Sequence, residues 1–354
     1  MTRAASQPLV SIVTPIYNGA EYLPECIESV LAQTYENWDY TIVDNRSTDA
    51  SAEIAGRYAA RDSRIRVHRN QDFLPVIANH NTALRQISPD SKYCKVVFGD
   101  DWIFPECLEK MVALAEAHPS VGLVGAYGLE GERIICAGLP YTSPVVDGRE
   151  ICRRHLLDKL YLFGSANSVL YRADLLRGDE RFYNEANIHA DTEACFALLV
   201  ASDFGFVHQV LTFTRVRAGS ETARSLDLHT DLAGTLQILK MYGAHYLTTD
   251  ELDALIDEHV ADYYRFLNQS VFVRRDREFW EYHKKQLADA GIPFSRTRLI
   301  WATLASLRRA LVPKSSWLDR RLTSGRRKTV AAPAAEGSER NALLGESSGT
   351  RGAK

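Results

Sequence analysis

The sequence lacks the patterns that mark several large classes of protein. Its 354 residues contain no run of about 18 apolar residues, so a chain that crosses a membrane repeatedly is excluded. The six cysteines form no C-x-x-C pair, which argues against zinc-knuckle and redox motifs and favours buried reduced thiols in a reducing compartment. A charged segment followed by an apolar run is missing at the N-terminus, so we expect no signal peptide and a cytoplasmic location.

Glycine-rich phosphate loops are also missing. Neither G-x-G-x-x-G nor G-x-x-x-x-G-K-[ST] occurs, which argues against a dinucleotide-dependent dehydrogenase and against a P-loop NTPase. A diphosphate bound by this chain would therefore need a metal ion as its main counter-charge, because no nest of backbone amides is predicted to hold it.

Charge is nearly balanced overall but unevenly distributed. The net charge is −3, and this mild acidity argues against a nucleic-acid partner. Residues 296–328 hold ten Lys or Arg and one Asp, a local charge of +9, while residues 329–354 are neutral. Residues 1–295 consequently carry −12, so an acidic body is joined to a basic segment.

Strands and helices are predicted to alternate through the first 125 residues. Apolar runs rich in β-branched residues predict strands at 9–14, 39–43, 65–68, 93–98 and 121–125. Segments with helical spacing lie between them, at 22–33, 50–60, 79–87 and 105–118. This alternation predicts an α/β fold, with a mostly parallel sheet flanked by helices.

The pattern becomes mixed after about residue 126. Strands are predicted at 133–136, 168–171 and 204–214, with helices at 191–201 and through 225–295. We predict one α/β domain over 1–225, with halves 8–125 and 126–225, a helical extension over 226–328, and a disordered tail over 329–354.

Polar residues follow three of the predicted strands. Because ligands of such sheets bind beyond the carboxyl ends of the strands, we expect these side chains to form one site. They are Tyr17 and Asn18 after the first strand, Asp44 and Asn45 after the second, and Asp100 and Asp101 after the fourth.

The adjacent Asp100 and Asp101 point to a divalent cation. Two neighbouring carboxylates repel each other unless a cation or a proton intervenes, and Mg²⁺ prefers one or two carboxylates together with substrate phosphates. The alternative is an Asp-Asp turn that only caps the next helix. Asp44 can accept hydrogen bonds from a ribose or a base, or can simply begin a loop.

Asp191 opens a predicted helix in the second half, where it can act as a general base or only cap the helix. Its neighbours His189 and Glu193 can orient it or be structural. Arg215 and Arg217 suit phosphate charge, although exposed arginines are usually solvated. His208 is a candidate metal ligand beside Asp101.

Three motifs stand in a specific order and spacing: Val10-Ser-Ile-Val-Thr-Pro-Ile-Tyr-Asn18, Ile42-Val-Asp-Asn-Arg-Ser-Thr-Asp49, and Phe98-Gly-Asp-Asp101 with Pro105 beyond it. They resemble family 2 glycosyltransferases, over roughly residues 8–216. The resemblance implies a GT-A fold and an inverting, metal-dependent transfer of a sugar from a nucleoside diphosphate to an acceptor hydroxyl.

The resemblance also implies roles for single residues. Asp101 would bind the Mg²⁺ or Mn²⁺ that bridges the diphosphate, and Asp191 would be the catalytic base. The nucleotide-sugar would contact Pro15, Tyr17, Asn18, Asp44, Asn45, Asn81 and Asp100. The sequence departs from the family pattern at Phe98, at Asn45-Arg46, at His80 and Ala83 on either side of Asn81-Thr82, and at Ala190.

We therefore predict a metal-dependent glycosyltransferase of polysaccharide, glycolipid or other cell-surface glycan synthesis, with a glycan or lipid-linked acceptor. A nucleotidyltransferase on a similar sheet and a non-catalytic nucleotide-sugar-binding protein are the alternatives. The basic segment, in which Trp301 and Trp317 stand among arginines, either packs on the body or lies on an anionic membrane surface at the inner face of the membrane.

Overall fold

The computed structural model describes residues 7–177, 181–217, 221–271, 273 and 276–301. The predicted tail and most of the basic segment fall outside these residues. The described residues belong to one compact unit.

The first half of the chain alternates strands and helices, as its sequence predicts. Its strands are β1 (Val10–Ile16), β2 (Trp38–Asp44), β3 (Ile65–Arg69), β4 (Tyr93–Val96), β5 (Trp102–Ile103) and β6 (Val121–Glu130). Its helices are α1 (Leu23–Leu31), α2 (Ser51–Ala59), α3 (Val76–Leu84) and α4 (Cys107–Ala117). Helix α1 carries a proline in its first turn, where the missing N–H costs no hydrogen bond.

The second half is mixed and ends in helices. Its strands are β7 (Arg133–Ile135), β8 (Val145–Val146), β9 (Val169–Arg172) and β10 (Asp203–Thr214). Its helices are α5 (Gly148–Asp158), α6 (Ala190–Leu199), α7 (Glu221–Leu228), α8 (Asp231–Tyr246), α9 (Thr249–Ser270) and α10 (Arg277–Asp289), with short 3-10 helices at Ala166–Ser168 and Ala173–Leu175. The two-residue strands and α5 were not predicted.

One sheet joins the strands, in the order β3-β2-β1-β4-β9-β6-β10-β5. The run β3-β2-β1-β4 is parallel, and so is the long pair β6–β10. Strand β9 runs antiparallel to both neighbours, β4 and β6, and so separates the two parallel parts. The predicted α/β class with a C-terminal helical extension is confirmed, while this reversed strand was not anticipated.

Alternation along β1 fills two cores, because successive side chains of a strand point to opposite faces. Val10 and Ile12 pack in one cluster, together with residues of α1 and α4. Val13 packs in the other cluster, together with residues of α3, α5 and α6. All six cysteines are buried and unpaired, as the sequence predicted.

The C-terminal helices form a third core of their own. Tyr263 and Leu267 of α9 pack there with Phe279 and Leu287 of α10. Helix α9 begins with a capping box, in which the Thr248 side chain accepts from the Glu251 N–H and the Glu251 carboxylate accepts from the Thr248 N–H. In the described part of the chain, no helix has both the length and the apolar character needed to cross a bilayer.

Replacing Thr248 by alanine is expected to lower the free energy of unfolding by about 1 kcal/mol, because the first turn of α9 loses its side-chain acceptor. Urea unfolding followed by circular dichroism measures the change. Thr249→Ala is the matched control, since Thr249 is the first residue of α9 and is not its cap. Equal losses in the two variants would contradict the role assigned to the cap.

Candidate active site

The loops that follow β1 and β2 are hydrogen-bonded to each other at the carboxyl end of the sheet. Asn18, at φ 52°, donates its N–H to Ser47 Oγ over 2.9 Å and accepts from the Thr48 N–H over 2.8 Å. A positive φ is tolerated by asparagine better than by most side chains. The carboxyl ends of the two strands therefore form one rigid rim, with Tyr17 beside it and 49% exposed.

Asp44 lies buried at this rim, at the last position of β2. Its Oδ1 accepts from the Ser47 N–H over 3.0 Å, and Arg69 Nε lies 3.2 Å from its Oδ2. Pro15 is buried one strand away, paired in register with Val43. Asp44 thus stands where the sequence places a nucleotide contact, with one oxygen already used by its own loop.

The side chain of Asn45 is hydrogen-bonded to other residues of the chain. Its side chain bonds both the N–H and the C=O of Leu74, and its Oδ1 also accepts from Asn70 Nδ2. These bonds fix the segment that carries Phe73, whose ring lies 4.8 Å from the Tyr17 ring. Asn45 is therefore placed to support the exposed Tyr17–Phe73 pair, and the hydrogen bonds of its amide go to the protein.

Asp100 and Asp101 follow β4 at the same end of the sheet. Asp101 is 3% exposed, and burial together with the nearby Asp100 raises its pKa to about 8. Its Oδ1 accepts from the Arg215 N–H over 2.9 Å, and the Thr214 hydroxyl donates to the same carboxyl group. Asp101 is thus a buried carboxyl group whose negative charge is incompletely compensated.

Two arginines that follow β10 contact this pair of aspartates. Arg215 Nε donates to the Asp100 carbonyl over 3.0 Å, and its guanidinium also bonds Glu25 and lies 4.6 Å from the centre of the Tyr22 ring. Arg217 Nε donates to Asp100 Oδ2 over 2.7 Å. Arg215 and Arg217, whose charge suits a phosphate, therefore both bond Asp100 in this structure.

A cavity of about 830 Å³ opens beside the carboxylate pair. Thr214, which bonds Asp101, is part of its wall, as are Phe98 and His80. The ring of His80 stacks on Phe98 at 5.1 Å, and burial lowers the pKa of His80 to about 4, which keeps it neutral near pH 7. The cavity wall is therefore one residue removed from the candidate metal site, since Thr214 lines the cavity and bonds Asp101.

Asp191 lies on the wall of this cavity, in the first turn of α6. Burial raises its pKa, while the N–H groups of Thr192 and Ala166 donate to it and favour its ionised form. Its neighbour Glu193 accepts from Asn184 and Asn187, and His189 bonds Thr230. Asp191 is the member of this acidic motif that faces the cavity with oxygen atoms available to a ligand.

Asn81 joins the two halves of the domain. Its Oδ1 accepts from the Tyr183 N–H over 2.8 Å, and its Nδ2 donates to the Tyr183 carbonyl and to Glu185. The side chain is 1% exposed. The structure thus uses this amide to hold the segment before α6, and the predicted contact with a nucleotide-sugar has no free amide atom to make it.

His208 does not lie with Asp101. Asp101 meets the end of β10 through Arg215, whereas His208 lies seven residues earlier, and a strand rises about 3.3 Å per residue. The Nδ1 of His208 pairs with the Tyr127 hydroxyl at 3.0 Å. The predicted pairing of His208 with Asp101 at one metal site is therefore not supported by their positions. Among the described residues, no group of three His, Cys, Asp or Glu could hold a metal ion by itself.

The sequence reasoning missed the segment before β9. Gly164, Ser165 and Ala166 line the cavity, and the Ala166 N–H donates to Asp191. The only signal in the sequence is a run of small residues between apolar ones, which predicts a turn but not its neighbours.

Comparison with known sequences supports the motifs. The profile of Glycosyl transferase family 2 matches residues 11–135. EpsE from Bacillus subtilis is 36% identical over 155 residues, which are 42% of this chain and 55% of EpsE. The glycosyltransferase GlyG from Streptococcus pneumoniae is 27% identical over 235 residues, which are 62% of this chain and 75% of GlyG. This chain thus spans about half the length of EpsE.

Solved structures share the fold. Residues 1–349 of TarS from S. aureus match with a TM-score of 0.58 and 16% identity, over 83% of this chain and 87% of that one. Residues 11–135, which the family profile matches, include β1 to β6 apart from Val10, together with Asp44, Asp100 and Asp101. Residues 11–135 of this chain therefore resemble family 2 glycosyltransferases in sequence, and the chain shares the fold of TarS.

Proposed function

We propose that this chain transfers a sugar from a nucleoside diphosphate sugar to an acceptor hydroxyl in the synthesis of a cell-surface glycan, with inversion at the anomeric carbon. The observation that carries the proposal is the buried Asp101, with the partly exposed Asp100 next to it, near a cavity that has Asp191 on its wall. TarS has been solved with UDP and with UDP-GlcNAc, which supports a donor of this class.

The donor half of the site suits a nucleotide with a diphosphate. The rim formed by Asn18 and Asp44 and the exposed Tyr17–Phe73 pair can bind a base and a ribose. Arg215 and Arg217 add positive charge beside the carboxylates. A diphosphate bound at the carboxyl end of β4 would leave the sugar at the mouth of the cavity.

The residues present fit a divalent cation that binds together with the donor. Asp101 would hold Mg²⁺ or Mn²⁺, with Asp100 beside it, because its buried charge is incompletely compensated. Such ions commonly take one or two carboxylates and complete their coordination with substrate phosphates. When bound, the ion supplies positive charge that stabilises the departing diphosphate.

The acceptor half of the site supplies a base. Asp191 would remove the proton from an acceptor hydroxyl as that oxygen attacks the anomeric carbon from the face opposite the diphosphate. Its raised pKa makes it a stronger base than an exposed aspartate, and the Ala166 and Thr192 N–H groups hold its oxygens in place.

We also propose that the start of the basic segment rests on an anionic membrane surface, which would suit a lipid-linked acceptor. Ile300 and Trp301 are 58% and 71% exposed at the end of the described chain, beside Arg296 and Arg298. Apolar and aromatic side chains next to cations are typical of segments that bind the membrane interface.

Replacing Asp101 by asparagine is expected to weaken Mn²⁺ binding in the presence of UDP by at least about tenfold, because the buried carboxylate that would hold the ion is lost. Titration of Mn²⁺ followed by electron paramagnetic resonance, with and without UDP, measures this. Asp203→Asn, at the start of β10, is the control and should bind like the wild type. Wild-type affinity in the Asp101 variant would refute the assignment.

Replacing Asp191 by asparagine is expected to lower kcat by about 10²–10⁴-fold, because the general base is lost while the cavity keeps its shape. Release of nucleoside diphosphate from a panel of UDP-, GDP- and dTDP-sugars, each with candidate acceptors, first identifies the donor. In the wild type, kcat should fall as the pH drops through the raised pKa of Asp191, since the protonated carboxyl group cannot accept the hydroxyl proton.

NMR of the wild-type product should show the anomeric configuration opposite to that of the donor, and retention would exclude the single displacement.

Glu185, which also lines the cavity, provides the comparison for the base. Full activity of Asp191→Asn together with loss in Glu185→Gln would move the role of base to Glu185.

Flotation with vesicles that contain anionic lipids tests the membrane contact. The full chain should float with these vesicles, and Ile300→Ser/Trp301→Ser should float less because the exposed apolar contacts are removed. A chain without residues 296–354 should stay at the bottom of the gradient. Equal flotation of the full and shortened chains would exclude a role for the segment.

A further inference from the structure

Lys95 is a charged side chain in the centre of the sheet. It lies on β4 with an exposed fraction of 0%, between β1 and β9. Its Nζ donates to the carbonyl oxygen of Asn167 and, over 3.1 Å, to that of Val169. Among the ion pairs between described residues, none includes Lys95, so backbone oxygens rather than a carboxylate receive this ammonium group.

Burying an ammonium group costs free energy, because the group loses its hydration and hydrogen bonds to the protein compensate for the loss only in part. Burial lowers the pKa of Lys95, as expected for a cation removed from water. Hydrogen bonds from a charged donor are roughly twice as strong as neutral ones, so Lys95 can hold two carbonyls more firmly than a neutral side chain could.

The two carbonyls belong to the segment that reaches both parts of the site. Ala166, next to Asn167, donates its N–H to Asp191. The Asn167 side chain donates to the Phe213 carbonyl over 3.1 Å, at the end of β10. The following Thr214 and Arg215 both bond Asp101.

A continuous path of bonded groups therefore links the candidate base to the candidate metal carboxylate. It runs from Asp191 through the backbone at residues 166–167 to residues 213–215 and Asp101, and Lys95 bonds its centre. Lys95 itself lies below the site, on the strand that leads to Asp100 and Asp101, and is not part of the cavity wall.

We propose that Lys95 is a positioning residue that sets the separation between Asp191 and Asp101, and hence between the acceptor hydroxyl and the departing diphosphate. This inference rests on the proposed function. A reaction in which one oxygen attacks as another departs requires both groups at a fixed spacing, and a displacement of 1 Å can cost about 100-fold in rate.

The test compares Lys95→Met with Arg177→Met by hydrogen exchange and mass spectrometry. Methionine fills similar space without the donors. Arg177 is the matched control because its guanidinium also donates to backbone carbonyls, those of Ser88 and Ser91 at 2.9 and 2.5 Å, and it is not part of the cavity wall. In Lys95→Met, peptides covering 164–169 and 210–217 should exchange faster than in the wild type, and in Arg177→Met they should not.

Kinetics separate positioning from stability. In Lys95→Met, kcat should fall about 100-fold while the KM for the donor changes much less, since the rim of Asn18 and Asp44 that would bind the nucleotide is not part of this path. Arg177→Met should keep the wild-type kcat. Unchanged exchange at 164–169, or a wild-type kcat, in a folded Lys95→Met variant would overturn the proposal.

A second variant covers the case in which Lys95→Met does not fold. Asn167→Ala removes the bond to Phe213 but keeps the backbone carbonyl that Lys95 holds. It should speed exchange at 210–217 and lower kcat, and wild-type values of both would overturn the proposal. If the wild type releases no nucleoside diphosphate from any donor, the proposed function fails, and the exchange of residues 164–169 still decides whether Lys95 holds that segment.

Discussion

The parallel register of β1, β2 and β4 is the constraint on which the rest of the site depends. Parallel pairing places the carboxyl ends of these strands side by side, so that Asn18, Asp44 and Asp101 meet although 83 positions separate the first from the last. The backbone ladder alone fixes this arrangement. The loops then need only short hydrogen bonds, such as those between Asn18 and residues 47–48, to become rigid.

The second physical property of the site is that several of its charged groups are buried. Asp44, Asp101 and Lys95 are each at most 3% exposed, and each is held by backbone groups as well as by any charged partner. Backbone dipoles cannot move away, so they fix a buried ion in one place at the cost of incomplete neutralisation. The raised pKa of Asp101 reflects this cost, to which burial and the neighbouring Asp100 both contribute.

The antiparallel strand β9 positions the second half of the domain against the first. Because β9 stands between β4 and β6, the segment that precedes it crosses the end of the sheet beside the carboxylate pair. The same crossing brings residues 164–168 to Asp191 and to the end of β10. One reversed strand therefore joins the first half of the domain, in which strands and helices alternate regularly, to a second half whose sequence is irregular.

Local sequence determined the parts of this protein that depend on short-range pattern. Apolar runs and helical spacing predicted the helices and longer strands of the first 125 residues but not β5, and the motifs at the strand ends pointed to Asp44, Asp100 and Asp101 as candidate site residues and to the family resemblance. The pattern of residues 133–214 was too weak to show α5 or the direction of β9, since a strand of four residues carries no signal of its neighbour.

Only the tertiary structure decided what each polar side chain contacts. Asn45 and Asn81 look like ligand contacts in the sequence, but their amides bond other residues of the chain. His208 pairs with Tyr127 and not with Asp101, and no motif of the sequence marks Lys95 as a donor to the segment before β9. The physical reason is that a hydrogen-bonding group has the same identity whether it serves a ligand or a distant carbonyl. Its role is settled by which strands the sheet places beside it.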